Sequence, residues 1–303
     1  MRGGGAPSPL VSGLRPRVLV VANPAAGGFH AAALERFAGA VRARGLACEV
    51  RLTRASGDLT ALAASVNGDV ETLVVAGGDG SINEAVQGLL KAREPGPALA
   101  ILPFGTANVL AHELCLPFRP EKIADAVAMG ATKPIHLGRI GERAFMLMTS
   151  AGFDADVVHA VDPAVKRRWG KLAYAATALR LAFAHGGRDV TVEADGERFV
   201  CRLAVVTTAR FYGGPLTITR ETDVTRPGLR LVMLRDDRPK ALARAALGLA
   251  MGRLSRVPGV TDRAVSAVRF SGAGIRMQID GDRMATVDDW IRAEPRTLNV
   301  IAG

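Results

Sequence analysis

Three runs in the first third of the chain are apolar without interruption, Val18-Leu-Val-Val-Ala22, Val74-Val-Ala76 and Leu99-Ala-Ile-Leu102, and each breaks on Pro or Gly. Continuous short apolar runs of this kind read as strands buried on both faces, the habit of a parallel sheet. Between the first two lie a helical pattern, Ala31 to Arg44, and a strand, Cys48 to Thr53, closing at a Gly57-Asp58 turn. A further helix follows Gly80, so the order is β-α-β-α-β-α-β, which predicts a doubly wound α/β domain.

After a short helix, Ala124 to Met129, the pattern changes near Lys133-Pro134. Strand-like pieces then recur between turns: His136–Ile140, Ala144–Thr149, Asp189–Ala194, Arg198–Thr208, Leu229–Arg235, Ala267–Phe270, Ile275–Ile279 and Thr297–Ala302. Many short strands with Gly-bearing turns predict an antiparallel β-sandwich. The domain reading is therefore a disordered tail over 1–15, an α/β domain over 16–134 and a β-sandwich over 135–303.

Two helical patterns interrupt the sandwich. In Ala164 to Ala184, Val165, Trp169, Leu172, Ala176, Leu179 and Phe183 fall on one face, which predicts packing of that face on the sandwich. Lys166, Arg167, Arg168 and Lys171 crowd its first half, and cations so placed suit anionic headgroups. In Ala241 to Arg256, Gly248 and Gly252 suggest close helix packing instead.

Composition changes this picture in one respect. Of 303 residues 49% are hydrophobic and 22% charged, ordinary for a globular chain, but the net charge is +10. Such an excess suits a polyanionic neighbour, whether nucleic acid, an anionic bilayer or nucleotide phosphates, although a solvated basic surface reads the same way. Aromatic residues are only 5%, with no interleaving of basic and aromatic residues, which disfavours nucleic acid. Cys48, Cys115 and Cys201 are odd in number and far apart, so a reducing cytoplasm is expected rather than a disulfide framework. Every apolar stretch is broken before the roughly 20 residues a membrane span needs, so membrane contact is expected to be peripheral.

The candidate chemistry lies at the strand ends. Gly77-Gly78-Asp79-Gly80 joins a strand to a helix, where backbone N–H groups and the helix dipole can hold phosphate, though a tight connection with nothing bound has the same sequence. Asn23-Pro24 with Gly27-Gly28, and Pro103-Phe104-Gly105-Thr106-Ala107-Asn108, end neighbouring strands and would face the same crevice. There is no G-x-x-x-x-G-K-[ST] loop, no H-E-x-x-H pair and no visible Ser/His/Asp triad.

Taken together, these three loops, followed by Gly152-Phe153-Asp154-Ala155, Tyr212-Gly213-Gly214 and Asp280-Gly281-Asp282, resemble the diacylglycerol kinase catalytic family, which includes bacterial lipid kinases and sphingosine kinases. The resemblance covers nearly the whole chain. It implies an ATP-dependent kinase whose α/β domain binds the nucleotide and whose sandwich admits a lipid hydroxyl. ATP contacts then fall on Asn23, Gly28, Thr53, Gly77, Gly78, Asp79, Gly80, Ser81, Ile82, Asn83, Gly105 and Thr106, with Asp79 holding Mg²⁺ against the phosphates.

By the same resemblance the base that takes the acceptor proton belongs to an Asp-Gly-Glu turn, here Asp280-Gly281-Asp282. Asp282 is the leading base and Asp280 the other; the shorter side chain moves the carboxylate by roughly 1 Å, which can cost about a hundredfold in rate. Family members also carry an Asp-Gly turn that helps bind a structural cation. Pro227-Gly228 stands there, leaving the backbone carbonyls of Val224 and Leu229, or Asp223, as ligands of a weakened site. The expected partner is a lipid substrate at an anionic membrane surface, such as diacylglycerol or a sphingoid base; assembly stays open, a homodimer included. A soluble acceptor, as in NAD kinases, and a non-catalytic nucleotide or lipid sensor are the alternatives.

Overall fold

The computed structural model describes residues 17–302 apart from 67, 93–94, 163–164, 166–170 and 185–186. The expected tail over 1–15 lies outside them. β1 (Val18–Ala22), β2 (Cys48–Leu52), β3 (Thr72–Gly77) and β4 (Ala98–Pro103) run parallel in the order β2-β1-β3-β4. Both faces are covered, as the apolar runs require. Leu73 and Val75 join a core with Leu59 and Ala63 of α2 (Asp58–Ser65) and Ile82, Val86 and Leu89 of α3 (Asp79–Leu89). Val74 and Ala76 point the other way, against Phe37 and Val41 of α1 (Ala31–Ala43) and Ile123 and Val127 of α5 (Pro120–Met129). Between β4 and α5 sits a short helix, α4 (Val109–Glu113).

The final strand departs from the sequence reading. Leu298–Ile301 leaves the sandwich and inserts between β4 and β5 (Thr132–Ile135), parallel to the first and antiparallel to the second. Val300 and Ile301 are buried on opposite sides of that sheet. An apolar strand of this length suits either sheet, so pattern alone could not assign it.

Among the described residues, two six-stranded antiparallel sheets form most of the rest, with a two-stranded ribbon of Phe211–Tyr212 and Leu216–Thr217. One sheet runs Glu197–Cys201, Val190–Ala194, Ala267–Ser271, Ile291–Ala293, Gly138–Ile140, Arg143–Phe145, and the other Val260–Val265, Leu229–Leu234, Leu203–Thr207, Met148–Gly152, Met277–Ile279, Asp282–Met284. Val192, Phe270 and Ile291 of the first meet Val206, Leu231 and Met277 of the second in a shared core. The predicted single strand Arg198–Thr208 is two strands on different sheets, divided at Arg202. The crossing is tight: a Cβ on Gly152 would lie 2.2 Å from the Arg202 carbonyl oxygen.

The helix Lys171–Phe183 reverses another expectation. Leu172, Leu179 and Phe183 are 65%, 63% and 61% exposed, while Ala173, Tyr174, Ala178 and Leu181 pack on Val157 and Val161 beside α6 (Phe153–Ala160). The segment is apolar nearly all round, so periodicity did not single out the packed face. Trp169, Lys166, Arg167 and Arg168 lie outside the described residues.

Candidate active site

The ends of β1, β3 and β4 are held together by contacts that only glycine permits. The Gly28 N–H donates to the Phe104 carbonyl at 2.8 Å, where a Cβ on Gly28 would lie 2.9 Å from that oxygen. Gly78 and Gly105 cross so closely that a Cβ on Gly105 would stand 2.5 Å from the Gly78 Cα. Asn108, at φ 47°, accepts from the Gly105 N–H and donates to the Gly105 carbonyl, both at 2.8 Å. Gly78 offers no side-chain cap to α3, whose first intrahelical bond runs from the Ile82 N–H. The N–H groups of Gly80 and Ser81 therefore have no helical partner and sit at the positive end of the dipole, a suitable cradle for an anion.

Asp79 has a second task in this structure. Its Oδ2 accepts from the Val109 N–H at 3.1 Å and its Oδ1 from the Leu110 N–H at 3.3 Å, so the carboxylate caps α4. Burial raises its pKa, opposed by those two bonds. Its own N–H makes a third such bond, which leaves one lone pair of the carboxylate for a cation.

The opposite wall comes from the sandwich. Met277–Ile279 and Asp282–Met284 pair as a hairpin with Ile279 opposite Asp282, so Asp280 and Gly281 form a two-residue turn. Both have positive φ, 48° and 85°, as a type I′ turn demands. The Asp280 carboxylate folds back: Oδ2 accepts from Asn83 Nδ2 at 2.6 Å and the Met146 N–H at 2.9 Å, and Oδ1 from the Leu147 and Met148 N–H groups at 2.9 Å each. Its four lone-pair positions are filled. Burial pushes its pKa up to about 6 against these bonds. Asp280 is thus a clamp, its oxygens engaged by four donors of the protein itself. Asp282 is exposed, and its Oδ2 would lie 3.7 Å from a Cβ placed on Gly80. The hairpin therefore lies against the glycine loop.

A buried polar network supports the hairpin. The Gly281 N–H donates to Gln278 Oε1 at 2.8 Å, while Gln278 Nε2 donates to Ser150 Oγ at 2.9 Å and Asp154 Oδ2 at 3.0 Å. Ser150 and Tyr212 hydroxyls both donate to Asp154, and burial drives the Tyr212 pKa well up. Glu113 of α4 accepts from the Phe211 N–H, joining this network to the α/β domain. Gln278 carried no sequence signal, because a lone Gln in an apolar strand reads as a surface position.

The remaining expected residues divide. Thr53 ends β2 beside β1, its N–H bonded to the Ala22 carbonyl at 2.9 Å, and Thr106 is exposed, its Oγ1 3.4 Å from where a Cβ on Gly27 would stand. Both border the cleft loops. Asn23 and Ser81 bond to each other at 3.0 Å, with Ser81 buried over Gly77, so its hydroxyl braces the loop. Ile82 is a core residue and Asn83 holds Asp280; neither side chain is available to a nucleotide.

The expected ligands of a structural cation are each engaged within the protein. The Val224 carbonyl accepts from the His136 N–H at 2.7 Å, and Leu229 is paired within its sheet. Asp223 is met by Arg226 at 3.2 Å and Arg210 at 3.4 Å. Although burial acts to raise its pKa, bonds from Thr225 and these guanidiniums hold it below the usual carboxylate value. Among the described residues no three His, Cys, Asp or Glu side chains converge as a metal site.

Comparison with known proteins gives this geometry its family. Residues 17–140 match the diacylglycerol kinase catalytic domain and 148–302 the YegS C-terminal NAD kinase beta sandwich-like domain. A diacylglycerol kinase of Mycobacterium tuberculosis is 30% identical over 300 residues, 94% of each chain. The chain belongs to the diacylglycerol kinase catalytic family. It is a kinase by that membership. A probable lipid kinase YegS-like protein of Chromohalobacter salexigens is 33% identical over 165 residues, 50% of this chain and 53% of the relative. The fold is shared with a crystal structure of a diacylglycerol kinase from Bacillus anthracis str. Sterne, at a TM-score of 0.78 and 19% identity over 95% of this chain and 97% of that one. No described helix is long and apolar enough to cross a membrane.

Proposed function

We propose that this kinase transfers the γ-phosphoryl group of ATP to the hydroxyl of a lipid, such as diacylglycerol or a sphingoid base, presented at an anionic membrane surface. The observation that carries the reading is the exposed Asp282 carboxylate opposite Gly80 at the uncapped start of α3. Backbone donors there suit phosphate, and a carboxylate facing them suits the proton of an incoming hydroxyl. Asp282 takes that proton as the acceptor oxygen bonds to phosphorus and ADP departs.

Gly77, Gly78, Gly80 and Gly105 keep the backbone close enough to cradle phosphate, with Thr53 and Thr106 at the rim. Mg²⁺ on the nucleotide would neutralise phosphate charge, and Asp79 is the side chain that would hold it, through the lone pair its backbone bonds leave. Gln278 and Asp280 fix the hairpin so that Asp282 meets the acceptor.

Incubating the protein with lipid extracts and labelled ATP, followed by mass spectrometry, identifies the acceptor. A phosphorylated lipid is expected, and its absence across a broad lipid panel overturns the proposal. The likeness of residues 148–302 to an NAD kinase-like sandwich favours a soluble acceptor as the second reading. Label appearing in NAD rather than lipid would decide for it, and ATP binding without any product would mark a sensor.

A further inference from the structure

Residues 207–212 touch both anchors of the hairpin that carries Asp282. At one end, the Thr207 hydroxyl donates to the Leu147 carbonyl at 2.8 Å and the Thr208 hydroxyl to the Met146 carbonyl at 2.9 Å. The N–H groups of the same Met146 and Leu147 hold Asp280. At the other end, the Tyr212 hydroxyl donates to Asp154 Oδ1, while Asp154 Oδ2 accepts from Gln278 Nε2 at 3.0 Å. Gln278 Oε1 in turn accepts from the Gly281 N–H at 2.8 Å. Between the two ends, the Phe211 N–H donates to Glu113, the last residue of α4, and α4 is the helix whose first turn Asp79 caps.

The two-stranded ribbon makes this reach possible. Gly213 and Gly214, between its strands, take φ of 61° and 130°, which a side chain would resist. The ribbon packs on α4 through Phe211–Tyr212 and on the helix Pro239–Ala250 through Leu216–Thr217. Tyr212 is therefore tied to the α/β domain, whereas Asp154 and Gln278 belong to α6 and to the sandwich strand that leads into the hairpin. Burial keeps the Tyr212 hydroxyl protonated and donating.

We propose that Tyr212 is a positioning residue for phosphoryl transfer, which acts through Asp154 and Gln278 to set the Asp282 hairpin in place relative to the nucleotide loop. Bonds within the sandwich fix the shape of the hairpin, but only a donor bonded to the other domain fixes where it stands against Gly80. Such placement matters, because a shift of about 1 Å can cost roughly a hundredfold in rate. Gly152-Phe153-Asp154-Ala155 and Tyr212-Gly213-Gly214 thereby share one task, the contact between their polar side chains. The inference rests on the reading of Asp282 as base for its purpose, while the restraint itself is measured without turnover.

The test is Tyr212→Phe in the full chain, which removes one hydroxyl and keeps the ring. Amide hydrogen exchange over residues 277–284 should quicken at least about fivefold, while exchange over Val190–Ala194 stays as in wild type. With diacylglycerol in mixed micelles, kcat should fall about fivefold and KM for ATP stay within about twofold of wild type. Because Tyr212 acts through Gln278, the Tyr212→Phe/Gln278→Leu double variant should be no more than about twofold slower than Gln278→Leu alone. Losses that multiply, unchanged exchange over the hairpin, or faster exchange throughout the sandwich would each overturn the proposal. If no lipid is phosphorylated by wild type, the lipid kinase reading falls, and the exchange contrast alone decides whether Tyr212 holds the hairpin.

Discussion

Two Asp-Gly turns, Asp79-Gly80 and Asp280-Gly281, meet where the domains join, and they are built on one plan with opposite results. In each, the aspartate turns back to cap another segment: Asp79 holds Val109 and Leu110, and Asp280 holds Met146 to Met148. The elements they lead into differ. After Asp79 the chain enters a helix whose leading N–H groups are unspent, while after Asp280 it enters a strand whose first side chain is the exposed Asp282. One wall donates hydrogen bonds and the other accepts them. The acid that looks most prominent in each motif braces a neighbouring segment, and Gly80 and Asp282 beside them stand where the two turns meet.

The largest effect should come from removing the accepting wall. Asp282→Asn should lower kcat by about 10²–10⁴ while ATP binding, read by calorimetry, is unchanged. Asp280→Asn should act differently, because an amide cannot accept four bonds: stability should fall by about 1–3 kcal/mol in denaturant unfolding, with activity falling alongside. If instead Asp280→Asn folded normally and abolished turnover alone, the division between clamp and base would be reversed.

The donating wall offers the next contrast. Gly105→Ala would force its Cβ to within 2.5 Å of the Gly78 Cα and 2.6 Å of Asn108 Oδ1, so ATP affinity should drop at least tenfold. Gly96, whose added Cβ meets nothing within 4 Å, is the matched control. A smaller effect is expected from Gln278→Leu, which frees the Gly281 N–H; kcat should fall about tenfold with KM for ATP unchanged, and Gln278→Glu, which keeps that acceptor but sets a second carboxylate where Nε2 donates to Asp154, should not recover it.

The smallest effect concerns the link between the walls. Burial raises the Glu113 pKa from 4.5 to about 7 in the folded chain. The folded state then binds more protons than the unfolded state between those values, so this group stabilises at low pH and its contribution is lost as pH rises through about 7. Glu113→Gln should flatten that slope, gaining about 1 kcal/mol relative to wild type at high pH once partial exposure is allowed for. Unfolding curves at pH 5 and pH 8 check the sign.

Much of this arrangement was legible in the sequence. Continuous apolar strands ending in Gly or Pro gave the parallel sheet and its three loops, and the Asp-Gly pair gave the hairpin. The roles of Asp280, Ser81, Ile82 and Asn83 were not legible, because each depends on a partner up to 197 residues away, as Asn83 does on Asp280. The return of Leu298–Ile301 to the first sheet and the outward face of Leu172 and Leu179 escaped for a related reason: hydrophobicity says that a residue is apolar but not which neighbour covers it.

The meeting of the two walls can be tested directly with the Gly80→Cys/Asp282→Cys double variant under mild oxidation. The account predicts rapid formation of an intramolecular disulfide, suppressed by ATP with Mg²⁺ and absent from either single variant. Two thiols that both react with a small maleimide yet never join would contradict it.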